Sequence, residues 1–170
     1  GVLGQVDADE RFISANTFSK SWTMTGFRLG WLIAPRGFVA NFAKMVEFNT
    51  SCAPTFIQRA GTAAIERGDA LIAETRERLQ ASRDALVAQL SRLAGIECAP
   101  PDGAMYLFFS VAGRSADSLD FAKRLVTQAG LGLAPGIAFG PEGEGYLRWC
   151  FASQRGLIED GVRRLARFLG

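Results

Sequence analysis

Asn16-Thr17-Phe18-Ser19-Lys20-Ser21-Trp22-Thr23-Met24-Thr25-Gly26-Phe27-Arg28-Leu29-Gly30 is the stretch on which the reading of this chain turns. An extended run, Arg11 to Asn16, breaks there into a short turn rich in hydroxyls. Lys20 sits in that turn among Thr17, Ser19, Ser21, Thr23 and Thr25. Arg28 follows, just before a second apolar run, Leu29 to Ala34. Hydroxyls, free N–H groups of a turn and a guanidinium fork suit a phosphate. An amine beside them suits nucleophilic chemistry on a carbonyl. The same residue types also make an ordinary solvated loop, so composition of the stretch leaves both readings open.

The chain has 170 residues, room for one full domain or two small ones. Hydrophobic residues make up 48% and charged residues 21%, the balance of a globular protein. A formal net charge of +2 makes no case for nucleic acid or an anionic membrane. The absence of histidine excludes Ser-His-Asp and Cys-His catalysis and argues against a conventional zinc site, so no metal is expected. Cys52, Cys98 and Cys150 are too far apart and odd in number for a disulfide framework or a metal knuckle. They are expected as buried free thiols of a reducing compartment. No apolar run reaches about 18 residues, and a cytoplasmic location is expected.

Val6 to Glu10 is loop-like. Arg11 to Asn16 and Arg28 to Ala34 read as strands on either side of the lysine turn, the second ended by Pro35 and Gly37. Their near-continuous apolar character predicts cover on both faces, as in an α/β sheet. Phe38 to Phe48 reads as a helix with Phe38, Phe42, Met45 and Val46 on one side. Thr55 to Arg67 is a second helix, closed by Gly68. Asp69 opens a long helix reaching Leu93, with Leu71, Ile72, Leu79, Leu86, Leu90 and Leu93 near helical spacing and Glu74, Arg76, Glu77, Arg78, Arg83 and Asp84 on the wet side.

Beyond it, short strands are predicted at 95–99, 104–111, 131–134 and 146–152, and helices at 117–129 and 153–169. Helices alternating with strands predict an α/β two-layer unit. Arg148 stands inside the apolar strand Tyr146-Leu147-Arg148-Trp149-Cys150-Phe151-Ala152. A charge there needs a partner, because burying it alone is costly. Bidentate capture of a carboxylate fits. An arginine facing water from one side of a strand fits the alternation equally well.

The order Ser19-Lys20, then Met24-Thr25-Gly26-Phe27-Arg28-Leu29-Gly30, resembles the cofactor-lysine signature of class I/II aminotransferases, the aspartate-aminotransferase-like enzymes of fold type I. The resemblance implies that Lys20 forms the internal aldimine with pyridoxal 5'-phosphate. It implies that Arg28 grips the cofactor phosphate, that Thr17 touches it where the family usually has serine or glycine, and that Ser19 fits the position before the lysine. Gly143-Glu144-Gly145-Tyr146-Leu147-Arg148 resembles the segment carrying the arginine for the substrate α-carboxylate. Pro101-Asp102-Gly103-Ala104-Met105-Tyr106 and the loop Ala134 to Gly140 also resemble family segments and are read as setting the fold.

In fold class the resemblance implies α/β, the C-terminal part of a fold-type I transferase. Residues 1–68 would be the end of the large domain with its mixed sheet, and 69–170 a small two-layer α/β domain entered by the long helix. The family residues that hold the pyridine nitrogen and O3′ belong to an N-terminal half not found here. The chain therefore reads as a fragment or truncated product, and by itself it is expected to be inactive.

The implied activity of the parent is transamination between an amino acid and a 2-oxo acid, in a homodimer, with no nucleic-acid or membrane partner. A C–S β-lyase or synthase of the same fold type, or a non-catalytic sensor domain of a regulator, would carry the same residues.

Overall fold

The computed structural model describes residues 12–170, so the loop expected before Arg11 and Arg11 itself lie outside the described residues. The chain divides into two compact units between Thr75 and Arg76, inside the long helix.

In the first unit, strand β1 (Ser14–Thr17) pairs antiparallel with β2 (Gly30–Ile33), with Thr17 opposite Gly30 and Ser14 opposite Ile33. Both strands alternate half-buried and exposed residues, not the two-sided cover predicted. The predicted strand starting at Arg28 begins two residues later, because Arg28 is left-handed at φ 51 and cannot join a ladder. Helix α1 (Arg36–Thr50) and helix α2 (Thr55–Arg67) follow. Each is preceded by a proline whose carbonyl accepts a first-turn N–H, from Phe38 and from Ile57, both at 2.9 Å. The expected packed side of α1 is open: no residue of the helix is buried, and Phe48 is 89% exposed. The two-stranded hairpin has too little surface to cover it.

Helix α3 (Asp69–Leu90) spans the boundary and buries Ser82, Leu86 and Leu90, one stripe at helical spacing. The second unit is built on a three-stranded antiparallel sheet in the order β3 (Tyr106–Ser110), β5 (Tyr146–Cys150), β4 (Ala134–Pro135). Leu107 lies opposite Trp149 and Phe109 opposite Leu147, and all four face the core. There they join Leu86 and Leu90 of α3, Phe121 and Leu125 around helix α4 (Ser118–Arg124), and Ile158, Val162 and Leu165 of helix α5 (Arg155–Leu169). Gly161 lets α5 approach closely, since a Cβ there would meet the Trp149 ring at 2.6 Å. Helices on one face of a sheet make the two-layer unit expected.

Helix α3 ends at Leu90, short of the expected Leu93, and three further elements of the second unit differ from the sequence pattern. The strand expected at 131–134 pairs only at Ala134–Pro135, because Leu131 and Leu133 turn into the core and Pro135 has no N–H to give. The segment 95–99 makes a single bridge, Glu97 to Ser110. The helix after Asp117 changes to a π turn over Leu125–Ala129 and stops at left-handed Gly130.

Glu144 ties this unit together. Its Oε1 accepts the N–H of Ser118 at the start of α4, 2.5 Å away, and the N–H of Gly145 at 3.0 Å. The Ser118 amide, then that of Gly145, hold its carboxyl below the ordinary range. A depressed folded pKa means the unfolded chain binds the proton more readily. The stabilisation is therefore complete above the ordinary carboxylate pKa and is lost as pH falls through the depressed one. Glu144→Gln should lower the melting temperature at neutral pH, and the gap from wild type should close on acidification below the carboxylate range. Thermal scans across pH check this.

Candidate active site

The lysine turn is a closed piece of backbone. The Leu29 carbonyl accepts the Phe18 N–H at 3.1 Å, and Thr17 Oγ1 lies 3.3 Å from the same oxygen. Thr17 Oγ1 also accepts the Ser19 N–H at 3.1 Å and stands 3.0 Å from Ser19 Oγ. The Met24 N–H reaches back to the Phe18 carbonyl at 3.3 Å, and the Thr23 N–H to the Lys20 carbonyl at 3.2 Å. Thr17, Ser19 and Arg28 are thus gathered at one end of a hairpin whose turn holds Lys20. Ser19 is buried, while Lys20 and Arg28 are exposed. Arg28 folds its Nη1 onto the Thr25 carbonyl at 3.0 Å, which leaves its other donors open.

Two residues of this turn are left-handed, Thr23 at φ 55 and Arg28 at φ 51. Neither is glycine, and for a β-branched threonine the conformation is an outlier costing about 1–3 kcal/mol. Strain of this kind persists only where neighbouring structure imposes it. The support is aromatic. Phe18, buried beneath the turn, meets Trp22 at 5.0 Å and Trp31 at 4.8 Å between ring centroids. Helix α2 presses against this cluster through Gly61 and through Gly68, the residue just past its end. A Cβ on Gly61 would meet Leu29 Cδ2 at 2.5 Å and Phe18 at 3.2 Å, and one on Gly68 would meet the Trp22 ring at 2.7 Å. Trp149 is buried, while Trp22 and Trp31 are half-buried.

Arg148 belongs to the second unit and lies on the sheet face turned away from the core. Its neighbours in register are Phe108 on β3 and Ala134 on β4. The partner that a charge in an apolar strand requires is a pair of rings. Its guanidinium carbon lies 4.4 Å from the Tyr106 centroid and 4.4 Å from the Phe139 centroid. From the sequence alone both aromatics read as fold-setting. Tyr106 and Phe108 share the face of Arg148 by strand alternation, a legible signal. Phe139 sits in a loop, where no periodicity marks it.

Cys52 and Cys150 are exposed, not buried as expected. Cys52 lies in the loop after α1, and Cys150 on the outer face of β5. Among the described residues, no group of three or more His, Cys, Asp or Glu side chains gathers as a metal site, and no helix is long and apolar enough to cross a membrane.

The chain resembles known proteins in both sequence and structure. The family model for aminotransferase class I and II matches residues 2–165. A Bacillus subtilis protein named probable N-acetyl-LL-diaminopimelate aminotransferase is 36% identical over 164 residues, which is 94% of this chain and 40% of the relative. The aspartate aminotransferase of Pyrococcus abyssi is 33% identical over 162 residues, 94% of this chain and 41% of that one. In structure, the aromatic aminotransferase of Pyrococcus horikoshii OT3 superposes with a TM-score of 0.88 at 34% identity, covering 94% of this chain and 43% of that chain. The fold is therefore that of aspartate-aminotransferase-like proteins. The chain belongs to the class I and II aminotransferase family and spans about 40% of the length of the relatives it matches.

The hairpin's fit to the α2 glycines is testable. Gly61→Ala should destabilise by about 1–3 kcal/mol, because the added methyl overlaps Leu29 and Phe18. Gly156→Ala on α5, where nothing lies within 4 Å, should be neutral or stabilising by up to about 1 kcal/mol. Urea unfolding followed by tryptophan fluorescence measures both.

Proposed function

We propose that this chain carries the cofactor lysine and the substrate-carboxylate arginine of a pyridoxal-phosphate-dependent aminotransferase. The observation that supports it best is the hairpin that sets Thr17, Ser19 and Arg28 around the turn bearing Lys20. On this reading residues 1–68 end the cofactor-binding domain and 69–170 form the small domain.

The donor set suits pyridoxal 5'-phosphate: one exposed amine, two neighbouring hydroxyls and a guanidinium with open donors. Bound there, the cofactor supplies an aldehyde that accepts amino groups and a ring that withdraws electrons from the substrate's Cα. Thr17, Ser19 and Arg28 would hold its phosphate, the guanidinium through charge-assisted bonds. Lys20 Nζ would anchor it at the aldehyde carbon. The same nitrogen would carry a proton to and from the substrate's Cα as general base and acid. Arg148 would bind the α-carboxylate of amino acid and 2-oxo acid alike, since both half-reactions present the same group. The complete protein would act as a homodimer on these substrates. The 170-residue chain alone would show little or no turnover, given the share of its relatives that it spans.

The chain has three lysines, Lys20, Lys44 and Lys123, so covalent anchoring can be read directly. After incubation with pyridoxal 5'-phosphate and borohydride reduction, peptide mapping should place the label on Lys20. Equal labelling of all three would contradict the assignment. Arg28→Ala should weaken phosphate-dependent retention of the cofactor about 10- to 100-fold, the worth of a charged hydrogen-bonding partner. Equilibrium dialysis measures it.

A further inference from the structure

We propose that Tyr106 and Phe139 are positioning residues that hold the Arg148 guanidinium as a flat fork, edge-on to the carboxylate it receives. The inference rests on the reading of Arg148 as the carboxylate arginine.

The two rings lie at the same 4.4 Å from the guanidinium carbon, a distance at which cation and π-face attract. A guanidinium can stack flat on aromatic faces, and we assign Arg148 that arrangement. Stacking of that kind leaves the edge, where the N–H donors point, for a coplanar carboxylate. Among the described residues no carboxylate pairs with Arg148.

The rings are themselves fixed. Tyr106 stands on β3, diagonal to Arg148, in the register that pairs Phe108 with Arg148. Phe139 closes a 3-10 turn, Gly136–Phe139, whose Ile137 N–H is held by Ser118 Oγ at 3.2 Å, a hydroxyl on a fully buried residue. Gly136 and Gly143 are in backbone contact, with no room for a Cβ on either. Gly140, at φ 121, turns the chain immediately after Phe139. Phe108 meets Phe139 edge-on at 6.0 Å and stacks on Tyr146 at 5.1 Å with 1° between the planes. A small residue, Ala134, sits beside Arg148 on the β4 side. The loop Ala134 to Gly140, which the sequence marks only as a turn, thus delivers one jaw of a clamp.

An unclamped arginine must give up rotamer freedom to bind. Immobilising such a side chain corresponds to about two- to tenfold in affinity. The test uses the 15N-labelled 170-residue chain and the Nε–Hε signal of Arg148, assigned through Arg148→Lys. In the wild type that signal should be displaced upfield by the two rings and should move on titration with propionate. Phe139→Leu and Tyr106→Leu should each reduce the displacement and weaken propionate binding about two- to tenfold. Phe139→Tyr and Tyr106→Phe, which keep a ring, should retain both.

If the leucine variants bind propionate as wild type does, the clamp is overturned while the carboxylate role of Arg148 stands. A loss in Phe139→Tyr as large as in Phe139→Leu also overturns it, since the ring would then not be the cause. If the wild-type signal ignores propionate while all variants stay folded, the carboxylate role fails and the clamp with it. Phe139 is 50% exposed, so the substitutions there remove little core.

Discussion

One carbonyl oxygen, that of Leu29, determines the geometry of the first unit. It draws in the Phe18 N–H at 3.1 Å and the Thr17 hydroxyl at 3.3 Å, and so closes the turn between two strands only four residues long. A two-stranded hairpin of that size is marginal in water by itself. It persists because Phe18, carried by the first of those bonds, becomes the buried centre of an aromatic cluster with Trp22 and Trp31. The left-handed backbone at Thr23 and Arg28 is the strained consequence. Lys20 and Arg28 are exposed, while Thr17 and the buried Ser19 are linked through their hydroxyls. Geometry and chemistry meet at this point, since a cluster of apolar rings holds polar groups that have few partners of their own.

The second unit solves a different problem with the same materials. Its sheet buries Leu107, Phe109, Leu147 and Trp149 on one face and leaves Tyr106, Phe108, Tyr146 and Arg148 on the other. Alternation along β5 therefore separates a packed face from one that presents a cation among rings. Glu144 links the loop before β5 to the start of α4, and Ser118 at that start reaches the turn that carries Phe139. A carboxylate, a hydroxyl and a ring form one mechanical chain leading to the guanidinium.

Much of this was legible from the sequence. The lysine turn announced itself through local order: hydroxyls, amine, glycine, guanidinium at fixed spacing. The α3 stripe of Leu79, Leu86 and Leu90 followed the helical period. The parts that were not legible depend on tertiary partners. The roles of Gly61 and Gly68 lie in what touches them, and a helix sequence does not say which face will meet Phe18 and Trp22. The strand expected at 131–134 lost to core packing of Leu131 and Leu133. The exposure of Cys52 and Cys150 depends on which loop and which sheet face carry them. The rings about Arg148 combine one signal the alternation could have given, Tyr106, with one in a loop, Phe139, that only the fold brings near.

On the proposed reading, Lys20 and Arg28 serve one ligand from the same connection between β1 and β2. A crystal structure of the protein with pyridoxal 5'-phosphate tests it most directly. The account predicts continuous density between Lys20 Nζ and the aldehyde carbon, with the phosphate oxygens about 3 Å from the Arg28 guanidinium and from a hydroxyl of Thr17 or Ser19. Clear density for the cofactor at another place, with the Lys20 ammonium in open solvent, would contradict it.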